Sequence, residues 1–208
     1  MINKFSYICS LGTLCHCSFT LKKNNLKKES YPFDWIFTNF EIIIDCLEDN
    51  FNKFLDKKLY IEKDIKKCSH IIYDVSKTNY MFNHHNPLNN DKDYEYYVRC
   101  VNRFNDMIKS DKSKLFITMF VDIVDLNFNN INLITNFNEK LNNYTSNYKL
   151  LIINCYIDKN LLFPYHSKII TNNICVIKLF VTSLSSGTNF TNEIDNLYLD
   201  KLIEEFEF

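Results

Sequence analysis

The chain alternates between short apolar runs and longer segments whose apolar residues recur at helical spacing. The apolar runs predict β-strands at residues 5–9, 70–75, 115–121, 149–156 and 174–182. Helical spacing predicts helices at residues 13–24, 36–55, 94–108, 132–144 and 194–206. The segment 36–55 gives the clearest amphipathic pattern, with Phe40, Ile44, Leu47 and Phe51 on one face and acids between them.

Continuous apolar strands that alternate with helices favour a largely parallel sheet covered on both faces. We therefore predict a single three-layer α/β domain over residues 1–208, with a mostly parallel sheet flanked by helices. Ligands of such sheets bind beyond the carboxyl ends of the strands. Residues 56–68 read as charged and irregular. Residues 76–93 read as a long polar loop, and a loop of that length in a compact domain is often functional.

The turn that follows the first predicted strand is Ser10-Leu11-Gly12, and Gly12 is one of only two glycines in the chain. A glycine at such a point fits a positive φ or a close approach of another group. Thr13 is then a reasonable N-cap, and Cys15 falls in the first helical turn. Unpaired N–H groups and the helix dipole lower a thiol pKa there, to between about 3.5 and 7.5 in known cases. We predict that Cys15 is the most reactive thiol.

A second notable segment is Tyr31-Pro32-Phe33-Asp34-Trp35, which holds the only tryptophan of the chain. Asp34 could orient a histidine or bind a polar substrate; alternatively, it caps the turn before the next helix. Because the apolar face of that helix must be covered, we expect Trp35 to be buried.

The residues Ser10, Leu11, Gly12, Cys15, Ser30, Pro32, Phe33, Asp34 and Trp35 form the pattern SLGxxC…SxPFDW. Residues 6–55 thereby resemble a family named for papain-like cysteine peptidases, a domain of unknown function in bacteria and large DNA viruses. Weaker similarity continues at His84-His85 and at residues 97–104. The resemblance implies a cysteine nucleophile. A papain-type fold packs its nucleophile helix against an antiparallel barrel-like sheet, whereas the alternation above predicts a parallel sheet, and for the fold we follow the alternation.

Candidate catalytic residues are Cys15 as nucleophile, His84 or His85 as base, and Asp34 as the acid that orients the base. Histidine is the usual partner of a cysteine nucleophile, and both histidines lie on the 76–93 loop. The alternative is that they are solvated loop residues. His16 cannot easily face the thiol of its neighbour along a helix, and we interpret His70 and His166 as structural.

Candidate substrate-binding residues are Ser10, Gly12, Trp35, Arg99 and Arg103. Ser10 could also be a rival nucleophile, or a turn serine that bonds its own backbone. Arg99 and Arg103 are the only arginines and share a helix face, so they could bind a carboxylate or phosphate of a substrate. The competing interpretation is an internal salt bridge, for example to Glu95 or Asp106.

Composition narrows the function classes. Hydrophobic residues make up 46%, charged residues 24%, and the formal net charge is −1, so neither nucleic acid nor an acidic membrane is favoured as a partner. The eight cysteines lack zinc-type spacing, and Asp122 with Asp125 is weak evidence for a metal, so we expect no metal or cofactor. Buried free thiols predict a reducing compartment, the cytoplasm, which would be the host cytoplasm if the chain is viral. No signal peptide or membrane span is apparent.

Three functions remain open from the sequence. The first is a cysteine hydrolase or acyltransferase, with helix N–H groups near Gly12 stabilising the oxyanion. The second is a sugar- or nucleotide-handling enzyme that uses Asp34, the loop histidines and the arginines in the same cleft; family members found beside polysaccharide genes suggest it. The third is a binding module without chemistry. A small molecule, a glycan or a peptide would be the substrate, and the oligomeric state is open.

Overall fold

The computed structural model describes residues 4–65, 67–73, 80–126 and 130–206. The helices are α1 (Cys15–Lys23), α2 (Phe40–Glu48), α3 (Asp91–Lys109), α4 (Ile131–Leu141) and α5 (Glu193–Glu204). The strands are β1 (Tyr7–Ser10), β2 (Tyr60–Asp64), β3 (Lys67–His70), β4 (Lys114–Ile123), β5 (Tyr148–Ile157), β6 (Tyr165–Thr171) and β7 (Ile174–Val181). Within these ranges no helix is both long enough and apolar enough to cross a membrane.

The central sheet has five strands in the order β1-β4-β5-β7-β6. Strands β1, β4, β5 and β7 are parallel, and β6 pairs antiparallel with β7 at one edge. The prediction of an α/β fold with a mostly parallel sheet is therefore confirmed. The carboxyl ends of four strands meet at one edge of this sheet, and the turn from β1 to α1 lies there.

Helices cover both faces of the sheet because its strands are apolar on both sides. Leu150 and Ile152 of β5 belong to the core that α2, α3 and α4 cover. Leu151 and Ile153, which point the opposite way, belong to the core that α1 and α5 cover. The layers are thus helix, sheet and helix.

Three strands, β2, β3 and β6, were missed by the apolar pattern, and one predicted strand was misplaced. Strand β6 is exposed along its whole length, so it shows no buried face in the sequence. Strands β2 and β3 form a separate antiparallel hairpin in the stretch predicted to be irregular. The strand predicted at 70–75 begins where β3 ends, and its described residues, 70–73, are not part of the central sheet. Residues 74–75 lie outside the described residues, as do 76–79 of the predicted loop.

Helix α2 is shorter than the predicted helix 36–55. It begins after Asn39, whose side chain accepts a hydrogen bond from the N–H of Ile42. It ends before Asn50 and Phe51, which have positive φ values of 52° and 62°. Two left-handed residues in succession cannot continue a right-handed helix, although Phe51 remains fully buried.

Candidate active site

Gly12 joins the two halves of the sequence pattern. Its φ is +79°, as expected for a glycine just after a strand. A Cβ atom at this position would collide with the methyl group of Thr38 and would lie 2.8 Å from the carbonyl oxygen of Phe33. The segment around Phe33 therefore packs directly on the turn before α1. This contact explains why the SLGxxC half of the pattern needs a glycine and why the SxPFDW half forms a fixed turn.

The N-cap of α1 is Leu14, and the prediction of Thr13 as N-cap is wrong. Thr13 has a positive φ of 75°, and its hydroxyl donates to the carbonyl oxygen of Met119 on β4 instead of to the helix. Leu14 supplies no side-chain acceptor, so the N–H groups of the first turn have no side-chain cap. Cys15 is the first residue of the helix, as the sequence predicted to within the first turn.

The thiol of Cys15 lies beside a histidine from a distant part of the chain. His84 Nε2 is 3.1 Å from Cys15 Sγ. Cys15 is 5% exposed, and the other seven cysteines are 1% exposed or less. Cys15 is therefore the most exposed of the eight cysteine residues, and its thiol is paired with an imidazole.

The electrostatics of this pair differ from the prediction. Burial raises the pKa of the Cys15 thiol to about 11, although the backbone N–H of the same residue acts to lower it. Burial also lowers the pKa of His84, with the charges of His85 and Lys67 acting the same way. The predicted low thiol pKa is wrong, because the thiol is enclosed rather than solvated at the helix end. At neutral pH the pair rests as a thiol and a neutral imidazole.

The loop that carries His84 is fixed by its neighbours. His85 Nδ1 lies 3.1 Å from Asp93 Oδ1, and the N–H of Asn86 donates to Asp93 Oδ2 at 2.8 Å. The His84 ring meets the Trp35 indole edge-to-face, with centroids 5.9 Å apart. The structure thus brings His84 to Cys15, whereas His85 anchors the loop to the first turn of α3.

Asp34 is a buried acid with its own set of donors. It accepts hydrogen bonds from the hydroxyl of Ser18 and from the N–H of Tyr31, both at 2.7 Å, and it forms an ion pair with Lys27. Burial raises the pKa of this carboxyl, and the three donors oppose that rise. Among the described residues, no hydrogen bond of Asp34 reaches a histidine. Asp34 ties the turn before Trp35 to α1, so it does not orient the base as the catalytic assignment required.

Ser10 fits its alternative interpretation as a turn serine, and Trp35 is less buried than expected. Ser10 as a whole residue is 1% exposed. Its hydroxyl oxygen accepts a hydrogen bond from the N–H of Gly12 at 3.2 Å, which is the geometry of a turn serine. Trp35 is half-buried, and the expectation of a buried indole is wrong. The following helix covers its apolar face without Trp35, since the Phe40 ring stacks on Phe137 with centroids 4.2 Å apart.

A cleft of about 540 Å³ lies beside Trp35. It is lined by Lys22, Lys27, Lys28, Glu29, Ser30, Trp35 and Arg103. Arg103 is half-buried and donates to the carbonyl oxygen of Ser30 at 3.4 Å, whereas Arg99 is exposed. Neither arginine forms an ion pair with a described carboxylate, so the salt bridge to Glu95 or Asp106 is not present there.

The helix that carries Cys15 is also held from its other side. His16 Nδ1 lies 2.9 Å from Ser185 Oγ, and the N–H of Ser185 donates to Asp122 Oδ1 at 2.7 Å. Burial lowers the pKa of His16 to about 4. Asp122, a weak candidate for a metal ligand by sequence, thus binds the backbone of the loop after β7.

Sequence reasoning missed Lys27, Asp93 and Ser185. An acid in the first turn of a helix, such as Asp93, is a recognisable sequence signal. Its role in closing the histidine loop depends on tertiary contacts, which the local pattern does not contain. Lys27 carries no signal of its own, because it stands beside Lys28 and Glu29 in a charged stretch whose local pattern predicts no buried residue.

No curated protein and no solved structure matches this chain significantly. A family model does match it, over residues 6–158, which includes the β1–α1 turn, the Asp34 turn and the His84 loop. The chain therefore belongs to the family described as "Putative papain-like cysteine peptidase".

Proposed function

We propose that this protein is a cysteine-dependent hydrolase or acyltransferase in which Cys15 is the nucleophile and His84 the general base. The observation that carries the proposal is the 3.1 Å separation of Cys15 Sγ and His84 Nε2. A nucleophile and a base within direct hydrogen-bond reach are the core of this type of catalysis. The membership of the family supports the same class.

In the proposed reaction the proton of the thiol moves to His84 Nε2 while the sulfur attacks a carbonyl carbon. The tetrahedral intermediate collapses, its bond to the leaving group breaks, and the imidazolium returns the proton to that group. Water, or another acceptor nucleophile, then gives a proton to His84 and attacks the thioester. The C–S bond breaks, and the thiol recovers its proton as the acid or the transferred acyl product leaves.

The first turn of α1 would stabilise the oxyanion of this intermediate. Its N–H groups have no side-chain cap, and the positive end of the helix dipole lies at Cys15. The left-handed backbone at Gly12 and Thr13 sets where this helix begins. The uncapped N–H groups and the helix dipole would both stabilise the negative charge that develops next to the sulfur.

Thiol labelling tests the proposal. Limited alkylation with iodoacetamide, followed by peptide mass mapping, ranks all eight cysteines. We expect Cys15 to react first, and His84→Ala to slow its labelling about 100-fold, the typical effect of losing a general base. His166→Ala is the control, because His166 lies on the exposed edge strand and contacts Tyr198.

Two results would contradict the proposal. If Cys15 labels no faster than the other seven cysteines, the cysteine-hydrolase function fails. If His84→Ala and His166→Ala label equally fast, His84 is not the base. The sugar-handling enzyme and the binding module would then lead, and thermal stabilisation by nucleotide sugars would separate those two.

A further inference from the structure

We infer that the cleft beside Trp35 binds an anionic group of the substrate, a carboxylate or a phosphate, and so selects acidic substrates for Cys15. This inference rests on the proposed function, because it assigns the substrate class of the same site. In this inference the substrate is bound by Arg103, Lys28 and Lys22, whereas Arg99 does not line the cleft.

The charge of the cleft is the first argument. Four cations and one acid, Glu29, line it. Lys27 is paired with the buried Asp34, so its charge is compensated inside the protein. Lys22, Lys28 and Arg103 form no ion pair with a carboxylate in the parts of the chain that the structure describes. The lining thus carries a surplus of positive charge even after Glu29 is counted.

The placement of Arg103 is the second argument. Its Nη1 donates to the carbonyl oxygen of Ser30 at 3.4 Å, and its side chain is half-buried, so the movement of the guanidinium is restricted before a ligand arrives. A planar fork suits the paired oxygens of a carboxylate or phosphate. Pre-organisation lowers the entropy that binding would cost.

Trp35 connects the cleft to the chemistry. The indole lines the cleft, and its ring meets the His84 ring with centroids 5.9 Å apart. His84 in turn lies 3.1 Å from the sulfur of Cys15. Trp35 therefore lies between an anionic group bound in the cleft and the Cys15–His84 pair. The apolar part of the substrate would lie along the indole.

A pair of matched alkylating agents tests this inference. N-iodoacetylglutamate carries two carboxylates, and N-iodoacetylglutaminamide has the same length and no charge. In the full chain at low salt, we expect the anionic agent to label Cys15 about tenfold faster than the neutral one, as a cationic cleft raises association rates of anions. The double variant Lys28→Gln/Arg103→Gln should bring this ratio close to one. Lys112→Gln is the control, because Lys112 lies at the opposite, amino edge of the sheet, before β4.

The outcomes separate the two proposals. If neither agent labels Cys15 faster than it labels the other seven cysteines, the proposed function fails. If both label it at equal rates, or the double variant keeps the anionic preference, the cysteine chemistry stands and the anion site is overturned. Succinate and inorganic phosphate should each slow labelling by the anionic agent in competition with it, and the stronger competitor identifies the preferred oxyanion. Protection by neither would also overturn the site.

Discussion

Cys15 and His84 lie 69 residues apart in the chain and meet with sulfur and Nε2 separated by 3.1 Å. Both are uncharged at rest, because burial raises the thiol pKa to about 11 and lowers the imidazole pKa. A pair of this kind transfers its proton during attack instead of waiting as a thiolate and an imidazolium. The burial of this pair therefore predicts that the reactivity of Cys15 depends on pH differently from that of a free thiol.

The pH dependence of Cys15 labelling should reveal this pair. His84 accepts a proton only while it is neutral, so the labelling rate should fall as the pH drops below its pKa, which lies below the usual value of about 6.5. Above that pKa the rate should stay level across neutral pH. In His84→Ala the rate should instead rise with pH toward a thiol pKa near 11. Iodoacetamide rates from pH 4.5 to 9 measure both profiles, and a wild-type rate that rises steadily across this range would contradict the pairing.

The Gly12 turn offers a stability test with a built-in control. Gly12→Ala adds a Cβ against Thr38 and the Phe33 carbonyl at a positive φ, so we expect a loss of about 1–3 kcal/mol in the free energy of unfolding. Gly187→Ala shares the positive φ, at 101°, but has no atom within 4 Å of the added Cβ. Denaturant titration of both variants should therefore show a smaller loss for Gly187→Ala. Equal losses would mean that backbone strain, and not the packing of the two motif halves, makes Gly12 necessary.

The sequence anticipated the parts of this site that local physics sets. The glycine turn after β1 and the place of Cys15 in the first turn of α1 follow from short-range pattern, although the N-cap is Leu14 and not Thr13. The choice of His84 over His85 depends on Asp93, which closes the loop from another element. The thiol pKa depends on burial by the rest of the fold, and so local reasoning gave it the wrong sign. The apolar pattern did not predict strand β6 for a related reason, since an exposed edge strand needs no apolar face.

The buried Lys27–Asp34 pair should be essential to stability. Asp34→Ala leaves the ammonium of Lys27, whose side chain is only 9% exposed, without its counter-charge. Breaking a buried pair in this way costs roughly 3–5 kcal/mol. The double variant Lys27→Met/Asp34→Ala should recover part of that loss in urea titrations, because no charge remains buried.

An exposed ion pair provides the comparison. Lys201 and Glu205 are 3.8 Å apart with side chains 70% and 68% exposed, so Glu205→Gln should leave the unfolding midpoint nearly unchanged. If Asp34→Ala proved as mild as Glu205→Gln, the turn before Trp35 would not depend on this acid.

Neighbouring aromatics of the motif should separate stability from function. Phe33 is fully buried and contacts the rings of Phe51, Phe54 and Phe104, so Phe33→Ala should cost roughly 3–5 kcal/mol. Trp35 is half-buried, so Trp35→Ala should cost less than half of that. It should nevertheless slow Cys15 labelling, because His84 loses the ring it packs against. A Trp35→Ala protein that is as unstable as Phe33→Ala would indicate a core indole.

His16 should make the fold sensitive to acid. It is 1% exposed, and burial lowers its pKa to about 4, whereas the unfolded chain binds the same proton near pH 6.5. Between these two values the unfolded state holds more protons, so the free energy of unfolding falls as the pH drops from about 6.5 to 4. The shift corresponds to a loss of up to about 3 kcal/mol. His16→Asn keeps a polar group near Ser185 and removes the titration, so its stability should decline less over this range. His70 and His84, whose pKa values burial also lowers, continue to contribute in both proteins. Urea titrations at pH 7, 5.5 and 4.5 measure the difference, and parallel curves for the two proteins would show that His16 does not remain neutral in the fold.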